Sequence, residues 1–368
     1  YKLLFIIKRF NQMNFIFYVL LFSLFPFMVQ SQIKLEKITP QLSNLWGIGI
    51  INKNEILVTQ RSGNLYRLNV FNKNILKIEG APKVYNSGQG GLLDIAFEKE
   101  NDIHRVYLCL SKVIAGNKSS TAIHSYNLKN DKLTNEKVMF ISNKISSSGR
   151  HFGCRLAIKN EFIFATLGDR GTREDSQNSK NHSGSIIKIL KNGNKYNNKA
   201  FTNALPEIYS LGHRNPQGFT FDLAKNILWA HEHGPQGGDE LNIVLKGKNY
   251  GWPKVTFGKE YGSGLKIGMG TSLPGYEDPK YVWVPSIAPS GMIFYGGNMF
   301  PEFKNKIILG SLKYKRLHIL SLKDNNVVNE QIFLENKIGR IRDIEEISDG
   351  SLIIINDEYD GGVYRLFK

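Results

Sequence analysis

Beyond Gln32, apolar residues come either in short unbroken runs or in alternation with polar ones, and Gly, Asn, Asp and Pro fill the gaps between. Unbroken runs of this length suit strands buried on both faces, and alternation suits strands buried on one, so the pattern predicts β-strands almost throughout. Long helical periodicity is absent. The strands recur in a fixed order about six times: an apolar opening strand, a turn, a second strand ending in small or polar residues, a loop, and a third, alternating strand. Opening strands are predicted over 46–50, 91–97, 155–158, 218–222, 291–295 and 341–347. Their partners fall at 56–60, 105–110, 162–167, 227–231, 306–311 and 351–356, and third strands at 65–70, 122–128, 185–190, 240–245, 316–322 and 362–367.

This recurrence predicts an all-β fold, a six-bladed β-propeller spanning 33–368, in which units of roughly fifty to seventy residues leave room for inserted loops. Four-stranded blades around an axis bury both faces of each sheet and leave only short edges, which is how a long all-β chain avoids exposed edge strands. The last unit ends on its third strand at the C-terminus, so its outermost strand must come from elsewhere. Residues 33–38, ahead of the first unit, are the expected donor, and pairing the two ends would close the ring. The competing architecture, a pair of β-sandwiches, accounts less well for a sixfold recurrence.

Composition narrows the function classes. The chain has 368 residues, 41% hydrophobic and 11% aromatic, enough for one large core. Its net charge of +16 is spread among Asn and Ser without basic runs, zinc-finger spacing or a basic heptad, which argues against a nucleic-acid partner. The excess reads as a solvated surface plus a local anion site. Of the two cysteines, Cys109 lies in an apolar strand and Cys154 three residues after His151. One disulfide is open to them, but two buried thiols are the expected state, and neither has metal-ligand spacing. Residues 1–32 read as a signal peptide or leader: Asn14 to Val29 carries no charge, Val29-Gln30-Ser31 offers a cleavage site, and Lys8 and Arg9 could form the basic start. Met13 is an alternative start. A periplasmic or secreted protein is expected, with membrane attachment only if this segment stays uncleaved, since fifteen or so apolar residues are short of the ~20 a span requires.

The stretch His231-Glu232-His233-Gly234-Pro235-Gln236-Gly237-Gly238-Asp239-Glu240-Leu241-Asn242, closed by Asn249-Tyr250-Gly251-Trp252-Pro253, follows an apolar strand. A Gly/Pro turn there can aim several carbonyls and a carboxylate at one point, a donor set suited to calcium. A polar loop with an ordinary turn is the plainer alternative. His231-x-His233 has no third nitrogen or sulfur ligand nearby, so it makes a weak zinc site. In a propeller, residues at strand junctions converge on one mouth, and here those junctions are polar: Gln89, Arg150-His151, Asp169-Arg170, His213-Arg214-Asn215, Lys313, and Arg340, Arg342 and Asp343. A histidine, a calcium-type loop and several cations describe a site for a polyanionic ligand held beside a metal.

Gly88-Gln89-Gly90-Gly91-Leu92-Leu93, Arg150-His151-Phe152-Gly153, Leu211-Gly212-His213-Arg214-Asn215-Pro216-Gln217-Gly218, the stretch from Glu232 to Pro253 and Gly339-Arg340-Ile341-Arg342-Asp343 together resemble the glucose/sorbosone dehydrogenase family. More narrowly, the chain resembles the soluble aldose sugar dehydrogenases that use pyrroloquinoline quinone (PQQ), from about Leu45 to the C-terminus. The resemblance implies a six-bladed propeller with quinone and calcium at its axis and an aldose oxidised at the anomeric carbon to a lactone. It implies His151 as the base that takes the anomeric hydroxyl proton, a role suited to an imidazole of ordinary pKa about 6.5. Gln89, Arg214 and Asn215 would contact the cofactor, with the Arg214 guanidinium near a carbonyl that gains negative charge. Lys313, Arg340 and Arg342 would neutralise the cofactor's carboxylates, Asp169 would orient His151 or simply form a turn, and Tyr261 would reach the cofactor. The Gly234 and Pro235 carbonyls would hold the cofactor's calcium, acting as a Lewis acid, and Glu240 with the Tyr250 carbonyl a second one.

Departures qualify these roles. Lys315 lies close to Lys313 and competes for its assignment, and the long loop 258–279 carries little resemblance, so neither the sugar nor the electron acceptor is specified. Two other classes compete: a calcium-dependent propeller hydrolase such as a lactonase, which has no use for three axial cations, and a non-catalytic propeller, which has no use for His151.

Overall fold

The second strand of the last repeat, Leu352–Asn356 with sequence LIIIN, is buried at every position. That is the signature of a strand covered on both faces, and the architecture accounts for it. The computed structural model describes residues 32–368; but for Gln32, the expected leader over 1–32 lies outside them. Among the described residues there are six four-stranded antiparallel sheets and no α-helix, only two short 3₁₀ turns. The innermost strands are Leu45–Ile50, Leu92–Glu100, Gly153–Lys159, Pro216–Asp222, Pro289–Tyr295 and Ile341–Glu346. Each packs on the next and the sixth packs on the first, which makes the sheets the blades of a ring.

The ring closes as the sequence predicts. Lys34–Lys37 pairs antiparallel with Val363–Phe367, Lys34 opposite Phe367 and Lys37 opposite Tyr364, and becomes the outermost strand of the sixth blade. Every innermost strand also carries a register shift near its start, between Leu45 and Ile48 in the first blade and between Ile341 and Asp343 in the sixth. Such bulges bend a strand and re-aim its side chains. Here all six lie at the end where the polar junctions gather.

Below that end, Arg155 joins five of the six blades. Its guanidinium pairs with Asp343 at 2.8 Å and Asp94 at 3.3 Å and donates to the carbonyls of Gln217 at 2.7 Å and Arg342 at 3.0 Å. The two carboxylates in turn accept from the backbone N–H of Ile48 and Leu156. A buried charge is tolerable only when paired and fully hydrogen-bonded, and this one is.

The cysteines correct the sequence reading. Cys109 and Cys154 form a disulfide, with Cα atoms 5.6 Å apart. The packing of the second and third blades brings together two residues separated by 45 positions, a juxtaposition that strand patterning alone does not reveal.

Candidate active site

His151 occupies the turn into the third blade with φ of 50°, followed by Gly153 at 65° and Cys154 at 74°. This left-handed stretch tucks the histidine backbone against Gly168, where any Cβ would stand 2.2 Å from the His151 carbonyl oxygen. The backbone N–H of His151 donates to Oε1 of Gln89 at 2.8 Å, and Nδ1 lies 2.6 Å from Oδ1 of Asp169. Burial raises the Asp169 carboxyl, but the bonds from His151 and from Gly171 N–H outweigh it and hold the group below the usual carboxylate range. The ionised Asp169 therefore assigns the proton to Nδ1. Burial also lowers the His151 pKa against the pull of Asp169, with Arg214 and Arg150 adding to the drop. The ring is a neutral imidazole whose Nε2 has no hydrogen-bond partner among the described residues, the form a general base requires.

Beside this pair the axis opens into a cavity of about 420 Å³, whose wall includes Gln89, Asn215, Lys313, Arg340 and Arg342 together with Trp46, Arg61 and Asp357. Four of these side chains are cations. Asp357 binds Arg342 at 2.7 Å and approaches Arg340 at 3.8 Å, while Lys313 Nζ donates to the Ser286 carbonyl at 3.1 Å and pairs with no carboxylate among the described residues. Burial pushes the Arg342 guanidinium down in pKa despite Asp357. The buried Nε atoms of Arg61 and Arg342 have no hydrogen-bond partner among the described residues. One carboxylate against four cations, with donors unsatisfied, is a cradle for a polyanion. Lys315 instead faces Glu358 at 4.0 Å, so the structure favours Lys313 over Lys315 as the axial lysine.

The loop after His231 builds a second compartment. Asp239 organises it, accepting from Gly234 N–H, Ile287 N–H and Ala288 N–H, all at 2.8 Å. Arg214 donates to the carbonyls of His233 at 3.0 Å and Gly234 at 2.7 Å, and the Pro235 carbonyl faces Ser286 Oγ at 3.4 Å. A carbonyl oxygen has two lone pairs, so Gly234 and Pro235 keep capacity for a cation. A small cavity next to them is lined by Glu232, Glu240, Tyr250 and Trp252. The Glu240 carboxylate has one hydrogen-bond partner among the described residues, Asn242 at 3.4 Å, and burial together with Glu232 pushes its pKa well above the usual range. Buried oxygen donors, with Arg214 the one cation among the lining side chains, suit calcium. Among the described residues no three His, Cys, Asp or Glu side chains gather as a metal cluster, so a metal here would rest largely on carbonyls. His233 donates its Nε2–H to the Pro289 carbonyl, 2.6 Å away, and His231 is walled in. The zinc alternative gains nothing. Tyr261 is 66% exposed and lies outside the lining of both compartments.

The model of the family described as glucose/sorbosone dehydrogenase matches residues 42–365. The chain belongs to that family. It is, by that membership, a sugar oxidoreductase. It is 34% identical over 344 residues to the aldose sugar dehydrogenase YliI of Escherichia coli (strain K12), covering 91% of this chain and 92% of the relative. The apo crystal structure of the soluble aldose sugar dehydrogenase from Escherichia coli superposes with a TM-score of 0.86 at 33% identity, over 91% of this chain and 99% of that one. A PQQ-bound aldose sugar dehydrogenase from Streptomyces coelicolor superposes with a TM-score of 0.76 at 25% identity, over 92% and 98%.

Trp46, Arg61 and Asp357 of this candidate site escape sequence reasoning, and Trp252 enters it only as the end of the calcium-type loop. Arg61 and Asp357 directly follow the second strands Glu55–Gln60 and Leu352–Asn356, as His233 follows Ile227–Glu232. Asp169 and Lys313 come two residues after theirs. Reading that junction in every repeat, instead of in some, would have found Arg61 and Asp357, whereas Trp252 lies in the loop after Asp239–Ile243 and has no such signal.

Proposed function

We propose that the protein oxidises aldoses at the anomeric carbon to lactones, with PQQ as hydride acceptor and calcium as Lewis acid. The observation that carries this is a neutral His151, fixed by Asp169, beside a cavity lined by four cations and one carboxylate. When bound, the quinone supplies the hydride acceptor and calcium polarises it. Arg61, Lys313, Arg340 and Arg342 would neutralise its carboxylates, and Gln89 and Asn215 would fix its orientation. Gly234 and Pro235 would offer carbonyls to the calcium, and Glu240 with Tyr250 would hold a second ion. His151 Nε2 takes the proton of the sugar's anomeric hydroxyl while C1 gives up its hydrogen with the bonding pair, leaving a C=O bond. Asp169 stabilises the imidazolium that results. A lactonase would place carboxylates, not four cations, at the axis.

Among the described residues no helix is long and apolar enough to cross a membrane. A disulfide between Cys109 and Cys154 supports an exported protein, because such bonds persist in oxidising compartments. The partners of this reading are an aldose and an electron acceptor of unspecified identity.

The test is reconstitution. Apoprotein given PQQ and calcium should reduce a dye in the presence of aldoses, chelator should abolish the reaction, and calcium should raise the melting temperature. If no aldose drives dye reduction after reconstitution, the reading fails.

A further inference from the structure

Asp169 has two carboxylate oxygens, and the second is as deliberately engaged as the first. While Oδ1 meets His151 and Gly171 N–H, Oδ2 accepts from the indole Nε1–H of Trp252 at 2.8 Å. An indole N–H can only donate, so it favours the ionised carboxylate and cannot exchange roles with it. Trp252 reaches Asp169 from 83 residues away, across two blades, and is itself tightly held. Its backbone N–H donates to the Gly212 carbonyl at 2.9 Å, and its carbonyl accepts from Gln177 at 2.7 Å. The guanidinium carbons of Arg214 and Arg173 lie 5.3 and 5.6 Å from the centre of its ring. Trp229 provides a contrast: it is fully buried in the fourth blade and its Nε1 has no hydrogen-bond partner among the described residues. Filling space therefore does not require the hydrogen bond that Trp252 makes.

We propose that Trp252 is a positioning residue acting through Asp169 on His151: its N–H fixes Oδ2, which presents Oδ1 to Nδ1 of His151 and keeps Nε2 as the acceptor. The role of His151 as base rests on the function proposed above, but the His151–Asp169–Trp252 chain does not. The charged groups around it are Arg214 and Arg150 facing His151, Arg214 facing Asp169, and Arg170 and Arg173 sensing Asp169. None of them donates to Oδ2.

Trp252→Phe keeps a ring in place and removes the donor. Asp169 then shares less of its charge elsewhere and stabilises the imidazolium more, so the His151 titration should move up toward the ordinary histidine value. Nitrogen NMR of histidine-labelled apoprotein, with His151→Gln for assignment, reads both the titration and the tautomer without quinone or sugar. The wild type should show the Nδ1–H tautomer alone, and the variant a mixture. In reconstituted enzyme kcat should fall about tenfold, the loss of roughly one charge-assisted hydrogen bond, with KM changed less than about twofold. Biosynthetic 5-fluorotryptophan, which leaves the fold intact and makes the N–H a stronger donor, should move the titration the other way. Unchanged His151 titration and tautomer under both replacements would overturn the proposal. A wild-type protein that shows the titration and tautomer but oxidises no aldose would overturn only the function proposed above.

Discussion

His151 combines a left-handed backbone, a buried ring and an ionised partner, and each has a consequence that can be measured. Because burial lowers its pKa, the ring stays neutral below the ordinary value of about 6.5. The acid limb of the kcat/KM profile should therefore lie below pH 6.5, since the base form is the active one. The stability consequence has the opposite benefit. Above about 6.5 the ring is neutral in both the folded and unfolded chains and contributes no pH dependence. Below it the unfolded chain takes up the proton first, so this group lowers stability as pH falls. Replacing the ring should separate chemistry from binding: His151→Ala should still bind the quinone and lose about 10² to 10⁴ in turnover. Near-normal turnover would remove the base from the mechanism. His151 and Asp169 were legible because polar residues at strand junctions stand out against apolar strands. Their tautomer was not, because it depends on Trp252 Nε1, a contact made 83 residues away.

At the scale of elements, what could be read was set by burial. The opening, second and third strands are apolar or alternating and were located close to their final bounds, except in the second blade, where Ile103–Ala115 and Lys118–Lys129 run past the expected 105–110 and 122–128. The outermost strands were not, and the reason is visible in Asn326–Phe333, where most positions face solvent, and in Ile75–Lys77, only three residues long. An outer strand needs only one covered face and one partner, so it leaves a weak pattern. The disulfide was missed for a related reason: each cysteine looks like any small apolar residue of its own strand, and only the contact between blades pairs them. The closing strand is the exception among the outer strands, since the ring's topology demanded it. Ile38, just beyond it, is 1% exposed, donates its N–H to the Val363 carbonyl at 2.8 Å, and packs in the core shared by the first and sixth blades. Ile38→Ala should cost about 2 to 5 kcal/mol, as buried Ile-to-Ala changes do, measured by denaturant unfolding. A change below about 0.5 kcal/mol would mean that the two ends of the chain do not clamp the ring.

The whole molecule is what turns scattered cations into a site. Arg61 belongs to the first blade, Lys313 to the fifth, and Arg340 with Asp357 to the sixth, and only the closed ring brings them to one cavity. No local motif contains them all, which is why the order of motifs along the chain identified the family while the wall of the cavity had to be seen. Tyr261 shows the limit from the other side: it sits in a loop whose placement no repeat dictates, and it lies on the surface. Arg340 offers the cleanest test of the ring as a binding device. Its side chain is 42% exposed and only loosely tied, to Asp357 at 3.8 Å and the Leu312 carbonyl at 3.3 Å, so Arg340→Ala should leave the fold intact. A hydrogen bond to a charged group contributes ~1.5 to 3 kcal/mol, and exposure places this one at the low end. Quinone affinity should accordingly fall by roughly tenfold, while turnover at saturating quinone changes little, because the lost contact holds the cofactor and does not touch the sugar. Titrating the quinone's absorbance against wild-type and variant apoprotein checks this directly. Equal affinities would show that the cations serve only the ring's own electrostatics.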